Sequence, residues 1–255
     1  MASNTQEALV AGQFGPQAAA YVTSAVHASG ADLDQIEVFV RNHAPGRVLD
    51  LGCGGGHVSY RAAAHAGEVV AFDLSAEMLA AVRRTAEARG LANIVTQQGA
   101  AEAIPFPDAS FDMVLSRYSA HHWHDFAKGL REARRVLKPG GHALFADAVT
   151  PGAPLLDTFL QSIELLRDPS HVRNYTRAEW EHGLREACFR PGTASLHRVP
   201  LDFTSWVQRM RTPEIHAAAI RSLEQRMAAE VTAHFDIRED GSFTLDAMTI
   251  EAEAG

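Results

Sequence analysis

Val48-Leu49-Asp50-Leu51-Gly52-Cys53-Gly54-Gly55-Gly56-His57 carries the decisive reading of this chain. A short apolar strand runs into a glycine-rich turn, and a helix begins. A second apolar strand, Glu68-Val69-Val70-Ala71-Phe72-Asp73, then ends in a carboxylate 23 residues after Asp50. That order predicts a doubly wound α/β domain with a nucleotide pocket: glycines let the backbone approach a ligand, and a strand-end carboxylate accepts ribose hydroxyls.

The glycine spacing narrows the nucleotide. A dinucleotide fingerprint requires G-x-G-x-x-G; Gly52 and Gly54 satisfy the first two positions, but the third is His57, whose ring obstructs close helix–strand packing. No G-x-x-x-x-G-K-[ST] occurs, which argues against a P-loop. What remains is D-x-G-x-G-x-G over Asp50, Gly52, Gly54 and Gly56, which resembles motif I of the class I S-adenosylmethionine (SAM) methyltransferases. Two further segments strengthen the resemblance. Gly99-Ala100-Ala101-Glu102-Ala103-Ile104-Pro105-Phe106-Pro107-Asp108-Ala109-Ser110-Phe111-Asp112 is similar to a segment of that family, and Arg134-Arg135-Val136-Leu137-Lys138-Pro139-Gly140-Gly141 is similar to its turn into strand five. The motifs fall in order within residues 47–149, and the chain resembles the type 11 branch, which includes the ubiquinone and menaquinone methyltransferases. The tail, from Ser170-His171-Val172-Arg173-Asn174-Tyr175 to Thr212-Pro213, looks most like a bacterial subfamily named YafE.

Composition sets the frame. At 255 residues one sizeable α/β domain with a helical cap is expected. A net charge of −8 and the lack of any basic run argue against a nucleic-acid partner, which calls for a basic surface. Cys53 and Cys188 provide no disulfide framework and suit a reducing compartment. No run approaches the ~20 apolar residues of a membrane span, and no signal peptide is recognisable, so a cytoplasmic monomer or homodimer acting on a small molecule is expected.

The expected organisation is a single domain over 1–255: N-terminal helices in 1–45, a SAM-binding core in 46–150, and a substrate-side half in 151–255 with a helical insertion at about 204–235. Residues 1–13 read as frayed, and Pro16–His27 and Asp32–His43 as helices. Strands are expected near 47–51, 68–73, 94–98, 111–117 and 142–148, alternating with helices near 56–65, 76–89 and 125–137, which predicts parallel pairing. Ser75 and Asp125 are N-caps, and Gly90 and Pro139-Gly140-Gly141 are stops. A strand near 194–203 pairs with Phe243–Ile250 to close a seven-stranded, mostly parallel sheet. That antiparallel end follows from the resemblance.

The resemblance also assigns roles. Asp73 holds the ribose; Gly52, Gly54 and Gly56 wrap the methionine moiety; Asp50 orients loop amides or meets the methionine amine. Leu74 and Met78 sandwich the adenine, and Ala100, Ala101 and Glu102 flank it. The family often has Asp where this chain has Ala100, so adenine recognition falls to backbone groups near Ala101 or to Glu102. Tyr21 reaches the SAM carboxylate, and Ser116 ends strand four beneath the methyl group. Ser116-Arg117-Tyr118-Ser119 replaces the [DN]-P-P-[YF] of amine-methylating enzymes, which disfavours base N-methylation and leaves an aromatic or enolic carbon or oxygen as the nucleophile. Arg117 is a candidate anion or substrate contact, and Trp206 and Met210 are candidates on the cap. In His121-His122-Trp123-His124 the spacing is wrong for metal ligands on one helix face, so no metal is expected. A histidine there is placed to act as general base, with His122 preferred over His121. An NAD-dependent oxidoreductase and a non-catalytic SAM-binding protein are the competing readings.

Overall fold

The computed structural model describes residues 5–15 and 30–255. Seven strands, β1 (Arg47–Leu51), β2 (Glu68–Asp73), β3 (Ile94–Gln98), β4 (Phe111–Arg117), β5 (Leu137–Ala148), β6 (Phe189–Leu201) and β7 (Phe243–Ala254), form one sheet in the order β3-β2-β1-β4-β5-β7-β6. The first five are parallel, and β7 runs antiparallel to both β5 and β6.

Alternation along the strands builds two cores. From β1 and β4, Val48, Met113 and Leu115 meet Leu33, Ile36 and Val40 of helix α2 (Ala31–His43) on one face. Leu49, Leu51 and Val114 meet Leu130 and Ala133 of α5 (Phe126–Val136) on the other. Between these lie α3 (His57–Ala62) and α4 (Ala76–Ala88). The Ser75 hydroxyl accepts the Met78 N–H at 3.2 Å and starts α4, and Asp125 accepts the Lys128 N–H at 2.9 Å and starts α5. A third cluster joins α6 (Pro154–Arg167) to Trp206, Ile220, Val231, Phe235 and Phe243, and so fastens the cap to the sheet's antiparallel end.

Several expectations change. Residues 1–13 are not frayed throughout: α1 spans Gln6–Phe14, capped by Thr5. It buries none of its residues, and side-chain amides pin it: Gln6 Nε2 donates to the Ser170 carbonyl at 2.6 Å, and Gln13 Nε2 to the Met210 carbonyl at 2.9 Å. Such long-range bonds leave no periodicity in the sequence. The strand expected from 194 begins at Phe189, passing through Pro191, which an edge strand tolerates because one side of its ladder is open. The insertion at 204–235 is three helices, α8 (Phe203–Arg209), α9 (Glu214–Glu224) and α10 (Ala229–Phe235), the first break falling at Arg211-Thr212-Pro213. Between these and α6 lies α7 (Arg177–Glu186), opened by a Thr176/Glu179 capping box. The expected helix Pro16–His27 lies outside the described residues. No helix among the described residues is long and apolar enough to cross a membrane.

Candidate active site

The sheet order reverses between β1 and β4, and the crevice beyond their carboxyl ends is where an open α/β sheet binds ligands. A cavity lies there, walled by Asp50, the 52–55 loop, Asp73, Leu74 and Met78, with Gln6, Val10 and Phe14 of α1 on its outer side. Asp73 ties the walls together: one oxygen accepts the Gly54 N–H at 2.8 Å, the other the Ser75 N–H at 2.9 Å. Asp50 is 1% exposed; its Oδ2 accepts from the Ser59 hydroxyl at 2.6 Å, and its Oδ1 has no partner among the described residues. An orphaned carboxylate oxygen at a cavity wall fits an ammonium group. Burial, with Asp73 nearby adding to it, pushes Asp50 up to about 7.

Gly52 has φ +75°, and a Cβ there sits 1.8 Å from the Ser119 hydroxyl oxygen. Gly52→Ala is therefore expected to force the loop off the strand-four turn and to weaken at least tenfold the binding of S-adenosylhomocysteine (SAH), the product of the cofactor that the motif resemblance leads one to expect. Adding Ser119→Gly should recover part of the loss, because it removes the side chain that the new methyl meets. A single mutant that binds SAH like the wild type by calorimetry sinks this account.

A second cavity, of about 590 Å³, opens on the far side of the strand-four turn. It shares Phe14, Arg117, Tyr118 and His122 with the first, so the two meet at that turn. The 3₁₀ turn Ala120–His122 is held by Asp147, near the end of β5 and 4% exposed: Oδ2 accepts the Ala120 N–H at 2.8 Å, and Oδ1 lies 2.5 Å from His121 Nδ1. A carboxylate only accepts, so His121 donates from Nδ1 and Nε2 is left to take a proton. Burial lowers the His121 pKa, but the Asp147 charge and hydrogen bond outweigh it and the net shift is upward. His122 behaves oppositely. Its Nδ1 lies 3.1 Å from the Ser170 carbonyl, and burial together with the His121 charge pushes it down to about 4.

Residues 49–145 match the Methyltransferase domain family. YafE of Escherichia coli (strain K12), itself uncharacterised, is 49% identical over 197 residues, covering 77% of this chain and 95% of YafE. The crystal structure of YcgJ from Bacillus subtilis superposes with a TM-score of 0.83 at 33% identity, over 87% of this chain and 97% of that one. The chain belongs to the type 11 methyltransferases. The 2-phytyl-1,4-naphtoquinone methyltransferase of Synechococcus elongatus is a further relative, 37% identical over 177 residues, 67% of this chain and 75% of that protein. Membership makes this an enzyme of methyl transfer and implies SAM use.

Placed in this methyltransferase, the expected residues divide. Asp50, Gly52, Gly54, Asp73, Leu74, Met78, Ala101 and Glu102 line the first cavity; Gly56, Ala100 and Ser116 do not. Gly56, at φ +80°, instead lets α3 start against Tyr60 and Val82, which a Cβ meets at 2.9 and 3.0 Å. Ser116 is 2% exposed and lines neither cavity. Glu102 Oε1 accepts the Asp125 N–H at 3.2 Å, so it also anchors the start of α5. Tyr21 lies outside the described residues. Trp206 and Met210 line the second cavity, and so do both histidines. Arg117 lines both cavities, but Asp32 engages its guanidinium through Nε at 2.5 Å and an Nη at 3.2 Å in a buried pair, so the expected anion contact gives way to bracing α2 against β4. Asp147 is the functional candidate that the sequence reading missed. The available signal was a carboxylate ending the apolar run Ala143-Leu144-Phe145-Ala146.

Proposed function

We propose that this methyltransferase moves a methyl group from SAM to a small-molecule acceptor whose nucleophile is an aromatic or enolic carbon or oxygen, with His121 taking the acceptor's proton. The observation that carries the reading is the Asp147-held imidazole in a cavity that shares His122 as a wall with the glycine-loop cavity. Bound in the first cavity, SAM would supply a methyl on a cationic sulfonium. The chain's own work is to hold that ligand and the acceptor at near-attack distance, exclude water and accept a proton. Asp73 is suited to the ribose hydroxyls, because each of its oxygens keeps a lone pair after accepting one amide. Asp50 Oδ1 is suited to the amino-acid ammonium. Phe72, Leu74 and Met78 offer the apolar walls an adenine needs. A relative that methylates a naphthoquinone supports the enolic or aromatic nucleophile.

The test is a calorimetric titration with SAH, with NADH beside it. Micromolar SAH binding and no NADH binding are expected, and the reverse would return the domain to the oxidoreductases. The same titration has a pH signature. An ammonium contact requires the Asp50 carboxylate, while the free protein holds this group at about 7. Below pH 7 binding must expel a proton, so the SAH Kd should rise about tenfold per pH unit from 7 down to 5.5 and level off above 7.5. A Kd that is flat between pH 5.5 and 8 takes the ammonium away from Asp50.

A further inference from the structure

Asn174 lies between α6 and α7 on the wall of the second cavity and is 1% exposed. Neither Nδ2 nor Oδ1 of its amide has a hydrogen-bond partner among the described residues. Its main chain is the reverse. Gln161 Oε1 accepts the Asn174 N–H at 3.1 Å, and Gln161 Nε2 donates to the Asn174 carbonyl at 2.8 Å. Gln161 is fixed in turn by His171 Nε2 at 3.0 Å and by Asp157 Oδ1 at 2.9 Å. A fully bonded amide thus clamps the backbone of an amide left unbonded. Buried polar groups are almost always satisfied, and an orphaned one is a standing penalty that a ligand can remove.

We propose that the Asn174 side chain is the recognition residue for the methyl acceptor, and that the acceptor presents a neutral lactam or carboxamide edge. This rests on the reading of the second cavity as the acceptor site. An amide whose donor and acceptor are both unspent pairs best with a group that sets N–H beside C=O, through two parallel hydrogen bonds. Neutrality follows from the surroundings. Arg117 is matched by Asp32, Arg167 by Glu164 and Arg198 by Asp246, and the carboxylate of Asp168 offsets Arg209 on the same wall, so the wall carries no net positive charge to draw an anion. A lactam conjugated to an enol or arene meets this requirement and that of the His121 base together.

The experiment uses the full chain saturated with SAH, and titrates 2-quinolinone and N-methyl-2-quinolinone, which lacks the lactam N–H. The wild type should bind 2-quinolinone about 10- to 100-fold tighter than its N-methyl analogue. In Asn174→Leu, whose branched side chain copies the shape of Asn, and in Asn174→Ala, the preference should vanish while SAH affinity stays unchanged. Asn174→Leu should also melt at or above the wild-type temperature, because it deletes two unpaired buried atoms rather than two bonds. The inference is overturned by a wild type that binds neither lactam or does not distinguish them. It is overturned too by a preference that persists in Asn174→Leu, which marks it as steric, or by a melting temperature several degrees lower, which marks the amide as structural. If SAH fails to bind the wild type, the cofactor reading of the first cavity falls instead. The melting comparison and the lactam titrations without SAH then still decide the role of Asn174.

Discussion

Asp73→Ala should weaken SAH binding by about 100-fold or more while the fold survives. Two backbone amides converge on this carboxylate, that of Gly54 in the glycine loop and that of Ser75 at the start of α4. Hydrogen bonds to a charged group contribute about 1.5–3 kcal/mol each, and every 1.4 kcal/mol is a factor of ten in affinity. Alanine removes both acceptors, frees the loop to move off the cavity, and removes the ribose contact as well. The effect on folding is smaller, because Gly54 lines the cavity and its amide can turn to water once the carboxylate is gone. Asp73→Asn keeps an oxygen for one of the amides and should lose about tenfold. Calorimetry of both variants against SAH, with circular dichroism as the check on fold, reads the result. An Asp73→Ala protein within threefold of the wild type would mean that the glycine loop is held by other contacts and that the ligand does not use this carboxylate.

Legibility in the sequence followed the range of the interactions. The five parallel strands and the helices between them were readable because each depends on local alternation, a cap such as Ser75 or a stop such as Gly90. The place of Asp73 and of the glycines at 52 and 54 on the cavity wall was readable for the same reason: a strand end and a turn fix it within 25 residues. Gly56 shows where that reasoning overreaches. It shares the motif's spacing, yet the space it saves is occupied by Tyr60 and Val82 rather than opening on the cavity. The second cavity was legible only in part: Arg117, His121, His122, Trp206 and Met210 on its wall were candidates from the sequence, but the way they assemble was not readable. The cavity assembles α1, the strand-four turn, the segment around Asn174 and the start of the cap helices, parts separated by 32 (Asn174 to Trp206) to 196 (Phe14 to Met210) residues and joined by single side-chain bonds such as Gln13 to Met210. The Arg117–Asp32 pair spans 85 residues in the same way, and it redirects an arginine that the sequence offered as a substrate contact. The preference between the two histidines depended on a residue 26 positions away, Asp147, whose place beside His121 only the parallel pairing of β4 with β5 establishes.

His121→Ala should lower kcat by about 10²- to 10⁴-fold, the usual worth of a positioned general base, with the SAM KM changed less than threefold, because this imidazole lies outside the glycine-loop cavity. His122→Ala should lose under tenfold. Held down at about 4, His122 stays neutral at working pH but binds a proton too weakly to drive the transfer. Asp147→Asn separates positioning from mere support. The Asp147 carboxylate, ahead of the charges of Glu164 and Asp168, holds the His121 pKa above its ordinary 6.5, and a base works only when unprotonated, so the wild-type rate should rise with pH through a midpoint above 6.5. Asparagine can still accept from the Ala120 amide but carries no charge. The midpoint should therefore move down while the plateau falls by about 10²-fold, since a weaker base and a free ring tautomer both slow the transfer. The assay is SAH release against pH with whichever phenol or enol the wild type methylates. An unmoved midpoint in Asp147→Asn, or a His122→Ala loss as large as that of His121→Ala, would place the proton acceptor elsewhere. A structural role for Asp147 alone lowers the plateau through misplacement of the 120–122 turn, and it has no means of moving the midpoint toward acid. The direction of that shift, more than the size of the loss, therefore decides whether the buried carboxylate tunes the histidine.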